Sequence, residues 1–244
     1  MAKKTKEEWK VSKNVFSLSS ERNLHKFQSQ GFFEHMESPI KTGKESNIFS
    51  AVKKDGTKII IKMYRMENCN FNKMYEYIRP DPRYMGVKKG KRNIIFSWVQ
   101  REYRNMIKAR EIIRVPTPLV YRDNILLMEY IGDDTKDGGP APMLKYSLPT
   151  NEKEISKLYN QVMKNVFALY KAGLVHGDLS EFNILNHQGK PILIDFSQCT
   201  TANNPNASEL LERDIFNVCN FFGKYVDVDL EKELEKKKKM EKPA

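Results

Sequence analysis

The segment LVHGDLSEFNIL, residues 174–185, constrains this chain more than any other stretch. It sets His176, Asp178 and Asn183 within eight residues, flanked by apolar residues that read as strand and core. The apolar run PILIDF, a short buried strand by its pattern, then brings Asp195 close behind. A carboxylate, an amide five residues later and a second carboxylate on a downstream strand form a chemical set. They can place one aspartate at an attacking hydroxyl and two oxygen donors on a divalent cation.

Other chemistry-bearing pieces precede this set in a fixed order: Lys44 in KTGKESN, Lys62 in IIIKMY, Glu102, and the apolar-acidic LLMEYIG. Phosphoryl transfer from ATP needs cations on the phosphates, oxygen ligands for Mg²⁺ and an aspartate at the acceptor hydroxyl, with little covalent help from the protein. Each piece alone means little, since a lysine after a strand is usually a surface residue and an HxD triplet is common by chance. The combination in this order is hard to reach by accident.

The rest of the chain reads as α+β. IFSAVKK and TKIIIKMYR flank the pair Asp55-Gly56, a hairpin signal. Residues 68–93, with RPDP and KKGKR, read as a polar, irregular and mobile loop. WVQREYRNMIKAREII predicts an amphipathic helix with Trp98, Tyr103, Met106 and Ile107 near one face. PTPLVYRDNILLMEYIG predicts two strands turning at residues 122–124. Ile155, Leu158, Val162, Val166 and Leu169 recur at helical spacing, with Asn151 and Glu154 as a capping box and Gly173 closing the far end. ELLERDIFNVCNFFGKY predicts a last amphipathic helix. The order gives a β-rich N-terminal lobe and a mainly helical C-terminal lobe: a basic, helical extension over 1–30, an N-lobe and hinge over 31–131, and a C-lobe with a charged tail over 132–244.

Composition narrows the partners. No apolar run approaches the roughly 18 residues of a membrane span, and MAKKTKEEWK is followed by no apolar h-region. The three cysteines form no CxxC pair and the four histidines show no ligand spacing, which argues against a disulfide framework or zinc site and fits a reducing cytoplasm. The net charge of +11 suits nucleotide, RNA or a ribonucleoprotein surface. Much of the excess lies in the termini and in KKGKR, and EKELEKKKKMEKPA reads most simply as a frayed, solvated helix end.

HGDLSEFN and LIDFSQ, preceded by KTGKESNIF and IKMYR, resemble the RIO family of atypical serine/threonine protein kinases, over residues 32–226. The short N-terminal part is closer to the type 1 branch and its archaeal members. The resemblance implies a two-lobed protein-kinase-like fold without the usual activation segment. It also implies roles. Gly43, Lys44 and Ser46 would contact phosphate oxygens. Lys62 would hold the α- and β-phosphates and pair with Glu102, although Glu111 lies on the same expected helix. The backbones of Glu129 and Ile131 would face the adenine edge, with Met128 guarding the pocket behind it. Asp178 would be the base, Asn183 and Asp195 the Mg²⁺ ligands, and Asp214 a brace for the loop; two oxygen ligands suit Mn²⁺ as well. Asp195 would also be the transient phosphate acceptor of an ATP-hydrolysing switch in small ribosomal subunit maturation, with the pre-ribosomal particle or its RNA as partner. His176 reads as a structural hydrogen-bonding residue.

Two absences qualify that picture. Ser180 stands where Ser/Thr protein kinases usually carry a lysine that balances the moving γ-phosphoryl charge, and no APE motif follows Asp195, which predicts slow transfer to free peptides. No serine or threonine lies between Lys62 and Phe96, so Ser97 or a tyrosine would have to serve in autophosphorylation. The competing readings are a sugar- or aminoglycoside-type phosphotransferase, which TGKESN, IDFSQ and the short C-terminal part disfavour, and a nucleotide-dependent ribonucleoprotein-binding module.

Overall fold

The computed structural model describes residues 17–67, 69–133 and 138–240. Residues 1–16, the first half of the expected N-terminal extension, lie outside the described residues. The extension's second half is helix α1, Leu18–Ser29, whose N-cap Ser17 accepts the Ser20 N–H.

Five strands form one antiparallel sheet in the order β1-β2-β3-β5-β4: β1 His35–Thr42, β2 Ser46–Val52, β3 Lys58–Tyr64, β4 Pro118–Arg122 and β5 Ile125–Glu129. Strand alternation sorts its two faces. Phe49, Ala51, Ile59, Ile61, Met63, Ile125 and Leu127 pack with Leu24 and Phe27 of α1. Tyr64, Leu126 and Met128 turn the other way, into the larger core. Lys62, between Ile61 and Met63, is thereby aimed at the face that α3, Lys91–Ala109, covers. The 55–56 turn forms as expected, with Gly56 at φ +84°. Strand β1 is an edge strand with two register shifts around Pro39, where a missing N–H costs the ladder nothing.

Residues 69–93 are only partly irregular. They contain helix α2, Phe71–Ile78, capped by Asn70 through the Lys73 N–H, and a 3₁₀ turn at Pro82–Tyr84. Phe71, Met74, Tyr75 and Ile78 keep helical spacing within polar text, and Cys69, Met74, Ile78 and Tyr84 bury against Ile94, Ile95 and Trp98. KKGKR straddles the start of α3, which begins at Lys91 instead of Trp98 and ends at Ala109. The buried side of α3 also differs from a plain apolar face, because Arg101, Glu102 and Asn105 are buried there beside Trp98 and Met106.

The C-terminal part holds α4, Glu152–Lys171, β6 Leu174–Val175, β7 Ile184–His187, β8 Lys190–Leu193, β9 Thr200–Thr201, and helices α5, Ala207–Phe222, and α6, Leu230–Lys239. All five apolar positions expected on α4 are buried, Asn151 caps it through the Lys153 N–H, and Gly173 follows its end at φ +83°. Up to Met240 the charged tail is solvated on one side but not frayed. Helix α6 packs on α5 with Glu233 and Lys237 buried, and Lys237 Nζ donates to Ser208 Oγ at 2.6 Å while pairing with Glu212. Long lysine stems can cover apolar surface while their heads find partners, which sequence charge alone does not reveal. Among the described residues no helix is long and apolar enough to cross a membrane.

Candidate active site

Lys62 is buried and its Nζ lies 2.6 Å from Glu102 Oε1 and 3.0 Å from Asp195 Oδ1. Tyr64 Oη donates to Glu102 Oε2 at 2.7 Å. Glu102 is the residue α3 supplies; Glu111 lies beyond the end of that helix. Burial by itself would push the Lys62 ammonium down, but the carboxylates of Asp195 and Glu102 outweigh it and hold its pKa well above the ordinary range. Burial pushes the Glu102 carboxyl up against the pull of Lys62. For Asp195, burial opposes ionisation, yet Lys62 and the Ser197 hydroxyl, donating at 2.7 Å, bring it down to about 2. Asp195 adopts φ +63°, a left-handed conformation that a non-glycine residue keeps only where its surroundings hold it.

The 176–183 loop is fixed by backbone hydrogen bonds instead of charge pairs. Asp214, almost fully buried on α5, accepts the N–H of Gly177 at 2.7 Å and of Leu179 at 2.8 Å. Asn217 Nδ2 donates to the Leu179 carbonyl at 3.0 Å, and Arg213 donates to the carbonyl of Gly177. Gly177 sits at φ +77° with its Cα against the Gln198 carbonyl, so a side chain there would be both strained and crowded. His176 Nε2 lies 3.0 Å from the Ile194 carbonyl. A carbonyl only accepts, so Nε2 carries the proton and Nδ1 is left to accept the Asp178 N–H at 3.4 Å. The ring also lies 4.8 Å from Phe196, which makes His176 the hydrogen-bonding link between two loops that its position suggested.

Asn183 joins the two halves. Its Nδ2 donates to the Asp178 carbonyl at 2.8 Å, and its own carbonyl accepts the Ile194 N–H at 3.0 Å, which brings Asp195 next to it across the β7–β8 hairpin. Burial raises the Asp178 carboxyl, and the Asp195 charge raises it further. Two carboxylates that repel one another, with the Asn183 amide tied to the loop of one and the hairpin of the other, are a set of residue types that could hold a divalent cation.

The remaining expected residues lie on the turn before β2 and at the end of β5. The Gly43 N–H donates to the Ser46 carbonyl at 2.9 Å, and a Cβ on Gly43 would stand 3.0 Å from that oxygen, so the turn suits glycine. Lys44 is exposed at its tip, and Ser46 opens β2 opposite Tyr64, two positions from Lys62. Met128 is buried on β5 opposite Ile60. The Glu129 side chain turns away to Arg114 and accepts the Thr117 N–H at 2.9 Å, so its backbone, not its carboxylate, lies along the strand end. Ile131 gives its carbonyl to the Ala141 N–H at 2.8 Å.

Sequence reading did not find the polar group beneath the 195–199 loop. Arg101 Nη1 donates to the Ser197 carbonyl at 2.7 Å, and Asn105 Nδ2 to the carbonyls of Phe196 and Cys199 at 3.0 and 2.8 Å. Asp81 holds Arg101 Nε at 3.4 Å and Arg83 Nη2 at 2.6 Å. The available signal was the interruption of α3's apolar face by three polar residues.

The sequence model of the RIO domain matches residues 47–235. The chain belongs to the RIO family. It is 34% identical to the RIO-type serine/threonine-protein kinase Rio1 of Haloferax volcanii over 223 residues, covering 91% of this chain and 75% of that protein. Against Rio1 of Methanocaldococcus jannaschii it is 37% identical over 217 residues, covering 88% and 72%. With human RIO1 the identity is 35% over 83% of this chain but 36% of the longer human protein. The RIO chain described here therefore stands with the type 1 branch and is a protein kinase enzyme. Among solved structures, the Rio2 kinase of Chaetomium thermophilum in its ADP/Mg²⁺-phosphoaspartate complex superposes with a TM-score of 0.65 at 22% identity, covering 90% of this chain and 66% of that one. That likeness shows the fold: two-lobed, protein-kinase-like and α+β. The usual activation segment is missing, because the chain passes from Asp195 through the short β9 into α5 at Ala207.

Proposed function

We propose that this RIO kinase binds ATP with Mg²⁺, or Mn²⁺, between the 43–46 turn and the 176–183 loop and transfers the γ-phosphoryl group. The observation that carries the reading is the single frame in which Lys62 meets Asp195 at 3.0 Å while Asn183 ties Asp195's hairpin to Asp178. Lys62, oriented by Glu102, holds the α- and β-phosphates. Gly43, Lys44 and Ser46 meet phosphate oxygens, and the backbones of Glu129 and Ile131 meet the adenine edge in front of Met128. Asn183 and Asp195 hold the cation, which when bound neutralises phosphate charge. In transfer to a hydroxyl, the acceptor oxygen attacks the γ-phosphorus, its proton passes to Asp178, and the bond to the β–γ bridging oxygen breaks to release ADP.

The raised Asp178 carboxyl is a better base than an ordinary aspartate, because its proton affinity lies nearer to the working pH. The phosphoaspartate in the Chaetomium Rio2 complex supports a second route on the same groups. There an Asp195 oxygen attacks the γ-phosphorus, ADP leaves, and water then attacks the phosphorus to release phosphate and restore the carboxylate. Transient phosphorylation of this kind suits an ATP-driven switch, and the charge of +11 supports docking on the RNA of a small-subunit precursor. Ser97 is a poor autophosphorylation site in this arrangement, since it lies within α3 and is partly buried.

Turnover of γ-labelled ATP, with and without a small-subunit precursor particle, tests the switch. Precursor-stimulated turnover and a hydroxylamine-labile label absent from Asp195→Ala support it. A hydroxylamine-stable label with no stimulation marks transfer to hydroxyls alone.

A further inference from the structure

Ser180 leaves the 176–183 loop without a cation at the point where the γ-phosphoryl group moves toward its acceptor. Helix α2 is tied at both ends to the two loops that face the triphosphate. Just before its first turn, the Cys69 thiol donates to the Arg65 carbonyl at 2.9 Å with its sulfur 3.3 Å from the Glu45 carbonyl, an oxygen that the Arg65 N–H reaches at 2.8 Å. The helix therefore starts against the 43–46 turn. Just past its last turn, Asp81 binds Arg101, whose guanidinium reaches the Ser197 carbonyl, and Arg83 Nη2 donates to Asn105 Oδ1 at 3.1 Å. The helix therefore ends against the loop that carries Asp195. Between these ties Met74 and Ile78 turn into the core, and Lys73 is left exposed on the other side. Its positive charge acts on the Asp178 carboxylate, alongside that of Arg213 and against the effect of burial.

We propose that Lys73 supplies, from helix α2, the positive charge on the transferring γ-phosphoryl group that the loop lacks at Ser180. The inference rests on the phosphoryl-transfer reading given above. Lys73 takes no part in the proton transfer: the acceptor proton goes to Asp178, the β–γ bridging oxygen leaves with ADP, and the Lys73 side chain faces the γ-phosphoryl oxygens. Its contribution is electrostatic and greatest where charge develops, so it stabilises the transition state more than bound ADP.

The test uses the full chain and four variants: Lys73→Met, Lys73→Arg, the double variant Lys73→Met/Ser180→Lys, and Asp178→Asn as inactive reference. Single-turnover cleavage of γ-labelled ATP is measured beside the affinities for ADP and the β,γ-imido analogue of ATP. Lys73→Met is expected to slow turnover about tenfold to a hundredfold, less than a buried oxyanion donor because the side chain is exposed. It weakens the triphosphate analogue but leaves ADP affinity and Tm unchanged. Lys73→Arg keeps most of the turnover, and Ser180→Lys returns part of what Lys73→Met loses. The proposal is overturned if Lys73→Met stays within about twofold of wild type, given the size expected of one electrostatic contact. It is equally overturned if Ser180→Lys recovers nothing, or if ADP and triphosphate affinities fall together, which marks α2 as a support for the 43–46 turn. Wild-type turnover no greater than that of Asp178→Asn removes the phosphoryl-transfer reading itself and the inference with it.

Discussion

The two sides of the site are held by different physics. On the sheet side, Lys62, Glu102 and Asp195 are positioned by opposite charges, with Lys62 and Glu102 buried. On the helical side, the loop carrying Asp178 is positioned by neutral and charge-assisted hydrogen bonds from its backbone to Asp214, Asn217, Arg213 and His176. A charge pair holds only while both partners are present, and removing one leaves the other buried and uncompensated. A braced backbone loses one bond at a time. The sheet side therefore depends on all its charges being present, whereas the helical side is a fixed frame of separate hydrogen bonds.

The contrast can be broken most strongly at Lys62. Lys62→Met should destabilise the protein by about 3–5 kcal/mol in denaturant melts, because Glu102 is left buried without its cation. Adding Glu102→Gln should return much of that stability without returning activity. If the single variant melts like wild type, the pair is not buried in solution as it is in the structure.

A smaller effect is expected on the braced side. Asp214→Asn offers one amide oxygen to two N–H groups, those of Gly177 and Leu179, so one is orphaned at a cost of about 1–3 kcal/mol. Nucleotide affinity should change little and turnover should fall, since the loop that carries Asp178 loosens while the phosphate-binding side stays intact. Equal losses of binding and turnover would erase the distinction between the two sides.

The smallest effect sharpens the comparison through pH. Asp195 is held at about 2, below the ordinary aspartate value, so its contribution to stability is complete above about pH 4 and is lost as pH falls toward 2. Asp195→Asn should therefore lower stability near neutrality, where that contribution is complete, and flatten the acid branch of the stability curve in that window. An unchanged acid branch would mean that Lys62 does not hold Asp195 in the folded protein.

The helical side was the more legible of the two. The spacing of Asp178, Asn183 and Asp195 is local, and a loop between two short strands can arrange such residues in few ways. Lys62 was readable for a related reason, since alternation along IIIKMY fixes its face once Ile61 and Met63 are inside. Glu102 could not be chosen over Glu111 until the length of α3 was known. Helix α2 was hidden because Asn, Lys, Arg and Pro surround its apolar positions, and because lysine and arginine open α3 at the end where the helix dipole disfavours them. The contact of Asp81 with Arg101, and of Arg101 with Ser197, joins elements far apart in the chain, and no spacing rule predicts it. Strand β1, with Pro39 and mostly exposed side chains, lacks the alternation that marks a strand.

The central claim is that Asp178 takes part in the chemistry while Lys62 and Asp195 bind the nucleotide. The most direct measurement compares Asp178→Asn with wild type for both ATP affinity and single-turnover cleavage of γ-labelled ATP. The account predicts affinity within a few-fold of wild type and cleavage slower by about 10²–10⁴, the range for a lost general base. Cleavage that continues at the wild-type rate, or affinity that collapses along with it, would contradict the assignment.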